Sequence, residues 1–323
     1  MLSTAVKGDD KLKRVHVVAA VIVNAEGQIL ISKRHEHAHQ GGRWEFPGGK
    51  LEDDETVEQG LSRELVEELG ITPTVMRPLI QISHDYPGKS VLLDVWRVTE
   101  FSGEATGREG QPIKWVSPQS LADYTFPEAN VPICAAAQLP DLYAITPQPE
   151  DETLFLNELD KVLTLGIKLL QFRAKAMQQD AWSTLAEKVI NRCRAAQAIC
   201  LLNTSSEQAI ALQADGLHLD SRQLHSVASR PVPNSMWLAA SCHTNEDLSQ
   251  AQKIGADFVV VSPIKATKSH PEAKPIGWQG LKAFTERAKI PVFALGGMDS
   301  SDLEEAHNNG AQGISAIRSL WRN

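Results

Sequence analysis

The first part of the chain alternates between short apolar runs and polar turns. Residues 15–24 (VHVVAAVIVN) form one apolar run and 29–32 (ILIS) a second. The turn signal Glu26-Gly27 lies between them, and two runs flanking such a turn predict a β-hairpin. A polar, glycine-bounded loop follows at 35–42. It carries His35, His37 and His39, whose alternation points the rings apart and predicts a solvated loop rather than a zinc site. Residues 55–69 have helical periodicity and stop at Gly70, a usual helix end. Strand-like runs return at 79–84, 91–99 and 113–116, which together make an α+β pattern. The Ala-rich stretch 130–140, closing on Leu139-Pro140, marks a change. Beyond it, apolar runs recur at 142–146, 169–172, 199–202, 216–219, 237–241, 258–262, 292–295 and 313–317. Helix-like segments such as 180–195 and 246–253 separate most of them. This alternation predicts an α/β (β/α)8 barrel, although about 180 residues is short for one. An open doubly wound sheet is the alternative.

Composition adds limits. A chain of 323 residues at roughly 150 residues per domain suggests two domains, placed at 1–137 and 138–323. Hydrophobic residues make up 42% and charged residues 22%, which argues against disorder as the main state. The net charge of −8 lacks the electrostatic footprint of a partner for polymeric nucleic acid. Cys134, Cys193, Cys200 and Cys242 form no C-x-x-C pair and read as reduced thiols. The opening MLSTAVKGDDKLKR is polar, and the first apolar run is too short to span a bilayer. A cytoplasmic protein with no membrane partner is expected; its oligomeric state is not legible.

The chemistry concentrates in one segment, Gly49-KLEDD-Glu55-TVEQGLS-Arg63-Glu64-Leu65-Val66-Glu67-Glu68-Leu69-Gly70-Ile71. Glu64, Glu67 and Glu68 stand at i, i+3 and i+4, on one helix face. Hard oxygen ligands clustered in this way suit Mg²⁺ or Mn²⁺. Metal held there would bridge phosphate oxygens and generate a hydroxide nucleophile. Gly48-Gly49 permits close backbone approach, and Arg63 can orient a neighbouring Glu by a charge-assisted hydrogen bond. A solvated acidic face would explain an isolated E-x-x-E-E. The full pattern G-x5-E-x7-R-E-U-x-E-E-x-G-U (U aliphatic) has a chance frequency of roughly 10⁻⁸ per start position.

That pattern is the Nudix box, and residues from about 14 to 137 resemble the MutT branch of the Nudix family, the 8-oxo-dGTP diphosphatases. Trp44-Glu45-Phe46-Pro47-Gly48-Gly49-Lys50 resembles the entry into the box. Glu109-Gly110-Gln111-Pro112, followed by Trp115, resembles a later metal-facing loop. Phe126-Pro127-Glu128-Ala129-Asn130 resembles the segment whose Asn meets the oxidised guanine, and Arg34 stands in the family's I-x-x-R. The resemblance implies an α+β Nudix fold, a mixed sheet between helices. It implies that Glu64, Glu67 and Glu68 ligate metal with the Gly49 carbonyl, Glu109 being a further ligand or base. Glu55 and Arg63 would support the box, and Arg34, Phe46 and Asn130 would form the base pocket. The implied reaction is water attack on a nucleoside triphosphate, releasing monophosphate and pyrophosphate. The Asn130 amide offers a purine both a donor and an acceptor; the plainer reading makes Asn130 the cap of a helix over 131–137.

Residues from about 141 to 323 resemble thiamine-phosphate synthase and the thiazole tautomerase TenI, both TIM barrels. Leu142-Tyr143-Ala144-Ile145-Thr146, Gln171-Phe172-Arg173-Ala174-Lys175, Ala214-Asp215-Gly216-Leu217-His218-Leu219, Ser241-Cys242-His243 and Ser262-Pro263-Ile264 carry the likeness, followed by Ala294-Leu295-Gly296-Gly297-Met298 and Ser315-Ala316-Ile317. Gly296, Gly297, Ser315 and Ala316 fall where barrels bind phosphate, which implies a thiamine-related phosphate ligand. The chain departs from the synthase at two aspartates that hold Mg²⁺-pyrophosphate: Thr204 and Gln223 stand there. His270 stands at a lysine position, after Thr267 and Ser269. Neither Thr nor Gln replaces a charged oxygen ligand. For a tautomerase, only His243 and His270 offer a base. The main expectation is therefore an 8-oxo-dGTP diphosphatase with a degenerate barrel. The alternatives are a Nudix hydrolase of thiamine-type diphosphates, a bifunctional diphosphatase and synthase, or a barrel serving only as a binding module.

Overall fold

The computed structural model describes residues 14–37, 40–86, 89–267 and 272–321. The N-terminal part contains β1 (Arg14–Ile22), β2 (Ile29–Lys33), β3 (Trp44–Glu45), α1 (Val57–Leu69), β4 (Thr72–Tyr86), β5 (Lys89–Ser102), β6 (Ile113–Val116) and α2 (Val131–Gln138). The strands form two small sheets, ordered β1-β5-β4 and β3-β2-β6. The first is mixed: β1 runs parallel to β5, and β4 antiparallel to it.

The expected hairpin is corrected here. The turn exists, with Gly27 N–H donating to the Asn24 carbonyl at 3.0 Å. Yet β1 and β2 touch only through an isolated Val23–Ile29 bridge and then enter different sheets. The cause is burial on both faces. Val18, Ala20 and Ile22 of β1 meet Leu61, Leu65 and Leu69 of α1. Ala19 and Val21 meet the opposite core, with Phe46, Ile80, Val95 and Ile133. A strand buried on both faces takes its neighbours from far along the chain: β5 on one side and the segment Pro47–Leu51 on the other. Strand β4 is an edge, and its register slips beside Pro73 and Pro78, which donate no ladder hydrogen bond.

Helix α1 starts on a capping box, Thr56 with Gln59, and stops on Gly70 in the left-handed conformation (φ 74°). The sequence put its start two residues early.

The C-terminal part is a barrel. Its strands are β7 (Leu142–Ile145), β8 (Leu169–Phe172), β9 (Ile199–Leu202), β10 (Gly216–Leu219), β11 (Trp237–Cys242), β12 (Phe258–Val261), β13 (Val292–Leu295) and β14 (Gly313–Ala316). Helices α3 (Glu152–Thr164), α4 (Gln179–Ala195), α5 (Ser206–Ala211), α6 (Ser221–Ser226), α7 (Asn245–Lys253), α8 (Gly277–Thr285) and α9 (Leu303–Asn308) stand between them. All strand pairs are parallel, and β14 pairs with β7, so the barrel closes and the open sheet is excluded. Tyr143, Leu169, Leu201, Ala239, Phe258, Val260 and Phe293 fill its interior. Leu139, from the segment after α2, belongs to that same interior cluster and is 1% exposed. The four cysteines are free; Cys193, Cys200 and Cys242 are buried. Among the described residues no helix is long and apolar enough to cross a membrane.

Candidate active site

The chain from Pro47 to Leu51 lies along β1. Ala20 N–H donates to the Pro47 carbonyl (2.8 Å), Val18 N–H to the Gly49 carbonyl (2.9 Å) and Leu51 N–H to the His16 carbonyl (3.0 Å). Two glycines are needed for this path. Gly48 has φ 145°, and a Cβ there would sit 2.1 Å from the Val18 carbonyl oxygen. A Cβ on Gly49 would fall 2.3 Å from the Glu64 carboxyl group. The loop is thus pressed between β1 and the acidic face of α1.

Arg63 organises that face. Its Nε and Nη2 donate to the two oxygens of Glu55 at 2.8 and 3.0 Å, a bidentate pair that ties the loop before α1 to the helix. Nη2 also reaches the Lys50 carbonyl at 3.1 Å. Nη1 donates to Glu64 (2.9 Å) and to Glu67 (3.3 Å). These bonds hold the Arg63 pKa above its ordinary value and lower that of Glu55.

Glu68 points the other way, accepting from Gly48 N–H at 3.0 Å. Burial pushes its pKa up to about 8, against that hydrogen bond and with the help of the like charges of Glu45, Glu64 and Glu109. Glu109 arrives from a distant loop docked on the end of α1. Thr106 N–H donates to the Leu69 carbonyl, Arg108 N–H to the Glu68 carbonyl, and the Gln111 amide to the Glu68 carbonyl. These bonds satisfy carbonyls that the helix end leaves open and bring Glu109 beside Glu68.

The donor set is of the kind that suits a hard divalent cation: Glu45, Glu64 and Glu109 crowd the half-buried Glu68, whose pKa is raised, and a cation would relieve their mutual repulsion. Among the described residues, however, no three acidic, imidazole or thiol side chains converge in a metal-binding arrangement. Glu64 and Glu67 are turned onto Arg63, and the Gly49 carbonyl already accepts one N–H.

The residues expected around the base lie at the other end of the loop. Arg34 is ion-paired with Glu45 of β3. Phe46 is 3% exposed and stacks on Phe126, ring centres 5.4 Å apart, so its ring is part of the core. Asn130 heads α2 but makes no side-chain cap hydrogen bond, so the capping explanation of this residue is not realised. His35 and His37 are exposed on their loop; His39 lies outside the described residues. Sequence reading passed over Glu45, which pairs with Arg34 and is close enough to raise the pKa of Glu68. Its alternation with the buried Phe46 was the available signal.

In the barrel, Gly296 (φ 104°) and Gly297 (φ 67°) end β13, and side chains there would collide with Pro263 and the Ala266 carbonyl. At Ser315 and Ala316 only the backbone is left for a phosphate contact. Ser315 is 0% exposed, and its hydroxyl donates to the Tyr143 carbonyl at 2.9 Å, inside the barrel wall. Ala316 is buried as well, so neither side chain is open to a phosphate.

The two departures from the synthase pattern form one neutral network. Gln223 Nε2 donates to the Thr204 carbonyl (2.8 Å), and Gln223 Oε1 accepts from Asp220 N–H (3.0 Å) and the Asn203 amide (3.3 Å). Thr204 Oγ1 bonds Gln208. Amides join β9 to β10 where two acids would face a cation, and the set does not fit Mg²⁺-pyrophosphate. Lys175 pairs with Asp220 at 2.9 Å, and His243 Nδ1 lies 2.9 Å from the Ser262 carbonyl. Ser269 and His270 lie outside the described residues.

A Nudix-type site on a mixed α+β unit thus precedes a closed barrel. The chain belongs to two families, its residues 18–136 matching the NUDIX domain model and 142–320 the thiamine monophosphate synthase model. The 8-oxo-dGTP diphosphatase of Escherichia coli is 39% identical over 124 residues, covering 38% of this chain and 96% of that protein. The CTP pyrophosphohydrolase of the same organism is 38% identical over 125 residues, covering 39% and 92%. A thiamine-phosphate synthase 2 of Aquifex aeolicus, itself provisionally named, is 39% identical over 181 residues, covering 56% and 97%. Nudix hydrolases generally require a divalent metal. A bifunctional diphosphatase and synthase is not favoured.

Proposed function

We propose that residues 1–137 form a MutT-type pyrophosphohydrolase that converts 8-oxo-dGTP to the monophosphate and pyrophosphate, sanitising the cytoplasmic nucleotide pool. The observation that carries this reading is the carboxylate face of α1 pressed against Gly48-Gly49, with an uncommitted Asn130 amide nearby in sequence to the Phe126–Phe46 stack. Glu64, Glu67, Glu68, Glu109 and the Gly49 carbonyl would hold Mg²⁺, with Mn²⁺ able to replace it. Bound there, the metal supplies charge neutralisation on the diphosphate and a lowered pKa for water. Arg63, anchored by its bidentate pair with Glu55, orients Glu64 and Glu67, which would turn toward a cation bound there. A carboxylate of the cluster takes the water's proton. Arg34, held by Glu45, and Asn130 read the base, and Phe46 closes the pocket wall.

Residues 138–323 hold a thiamine-related phosphate at the barrel mouth, through backbone N–H groups at Gly296-Gly297 and without synthase turnover. The CTP-hydrolysing relative supports a second reading, in which the base is a pyrimidine.

Steady-state hydrolysis of 8-oxo-dGTP, dGTP, CTP and thiamine diphosphate with Mg²⁺ by the full chain tests these assignments. A preference for 8-oxo-dGTP is expected; preference for CTP or the thiamine compound rejects the base assignment. Replacing Glu67 by Gln lowers kcat by at least about 10²-fold if it is a metal ligand. A near-normal rate removes that role.

A further inference from the structure

Helix α2 is held at its C-terminal end by two side chains from opposite parts of the molecule. From β5, Arg97 Nη2 donates to the carbonyls of Ala136 (3.3 Å) and Ala137 (2.9 Å). From the barrel, the residue before β14 does the same: Gln312 Nε2 donates to the carbonyls of Ala136 (3.2 Å) and Leu139 (3.0 Å). Gln312 is 1% exposed, so this grip is shielded from water. Its backbone is fixed in turn, Gln312 N–H donating to the Val292 carbonyl at 2.7 Å. Directly after the gripped carbonyls, Leu139 enters the barrel interior beside Tyr143 and Phe293. An Arg77–Asp141 pair at 2.5 Å then ties β4 to the start of β7.

The other end of α2 carries Asn130. Eight residues of helix span about 12 Å, a rod too short to bend. Its buried face, Ile133, Ala136 and Ala137, packs in the core that contains Phe46 and Phe126. Any shift at the Ala136–Leu139 end is therefore delivered to Asn130.

We infer that Gln312, a barrel residue, is a positioning residue for the base pocket of the hydrolase, acting through α2 on Asn130. The inference rests on the proposed role of Asn130. It gives the barrel a part in catalysis that needs no chemistry of its own: it is the wall to which the recognition helix is bolted. A separate hydrolase unit lacks this wall, and its α2 has only the Arg97 side of the clamp.

The test uses the full chain. Gln312→Met keeps the side-chain volume and removes the donors. The expected result is a selectivity for 8-oxo-dGTP over dGTP reduced at least threefold through KM, with kcat within twofold. Amide hydrogen exchange in α2 rises at least tenfold, while α1 is unchanged. Loss of kcat with KM unchanged, or no change in exchange, overturns the inference. Asn130→Ala separates the two readings. If that variant keeps full selectivity while Gln312→Met still loosens α2, the base assignment fails, and the clamp is structural only. If Asn130→Ala loses selectivity and Gln312→Met does not, the base assignment stands and the positioning role falls. Should Gln312→Met not fold, judged by circular dichroism, Gln312→Asn, which keeps the amide but withdraws it from α2, is read in the same way.

Discussion

At the scale of residues, two neighbouring glycines do different work. Gly48 lies against backbone, the Val18 carbonyl, and its φ of 145° is closed to other residues. Gly48→Ala is expected to destabilise by about 3 kcal/mol, read as a fall in the urea midpoint. Gly49 lies against the end of a flexible side chain, the Glu64 carboxylate. Gly49→Ala should fold normally and displace Glu64, lowering kcat by about 10²-fold, as a misplacement of 1 Å can. A variant pair showing the reverse pattern would mean that Glu64 is not a working ligand. The box residues were legible singly in the sequence because their types and spacing are rare. Arg63 bridging Glu55, Glu64 and Glu67 was only half legible: the bond to the adjacent Glu64 was expected, but the pairing with Glu55 depends on the path of the loop.

At the scale of elements, α1 announced itself by its period and by Gly70, and it starts two residues after the expected Glu55 because the Thr56–Gln59 capping box sets its first turn. Thr56→Ala should cost about 1 kcal/mol of stability without changing KM, measured by urea unfolding and steady-state kinetics. An unchanged midpoint would mean that the helix start is held by Arg63–Glu55 alone. The β1–β2 hairpin was misread for a general reason. A turn signal reports only that the chain reverses, whereas pairing is decided by which faces are buried, and β1 is buried on both. The barrel strands were located well because each is a short, mostly apolar run between polar helix starts. Closure was not readable: it depends on β14 meeting β7 across most of the barrel sequence.

At the scale of the whole molecule, two buried histidines set a pH dependence. His218, bonded to Tyr143 (3.0 Å) and Ser241 (2.8 Å) inside the barrel, is lowered by burial to about 3. His307, facing Asp141, is lowered to about 4, first by burial and then by Arg77. Both are below the ordinary 6.5, so the unfolded chain binds more protons between those values. The stability these rings contribute is complete above pH 6.5 and falls as pH drops toward their folded values, while Glu68, raised to about 8, works in the opposite direction above pH 4.5 and offsets part of it. Urea midpoints at pH 7 and pH 5 should differ in that direction, and His218→Gln should shrink the difference. A His218→Gln variant that keeps the whole difference would contradict neutral burial of that ring.

Local pattern alone marked out an α+β part, a strand-and-helix part after it and the acidic helix proposed to carry the chemistry, since periodicity, caps and motif spacing are properties of neighbouring residues. Tertiary structure decided what those residues face. It put Ser315 in the barrel wall, joined Thr204 to Gln223 in a neutral network, and brought Glu109 to Glu68 across a loop. It also set Gln312 of the barrel against the helix that begins at Asn130. Each of these joins positions far apart in the chain, and such contacts are chosen by the shape of the complete fold rather than by any stretch of sequence.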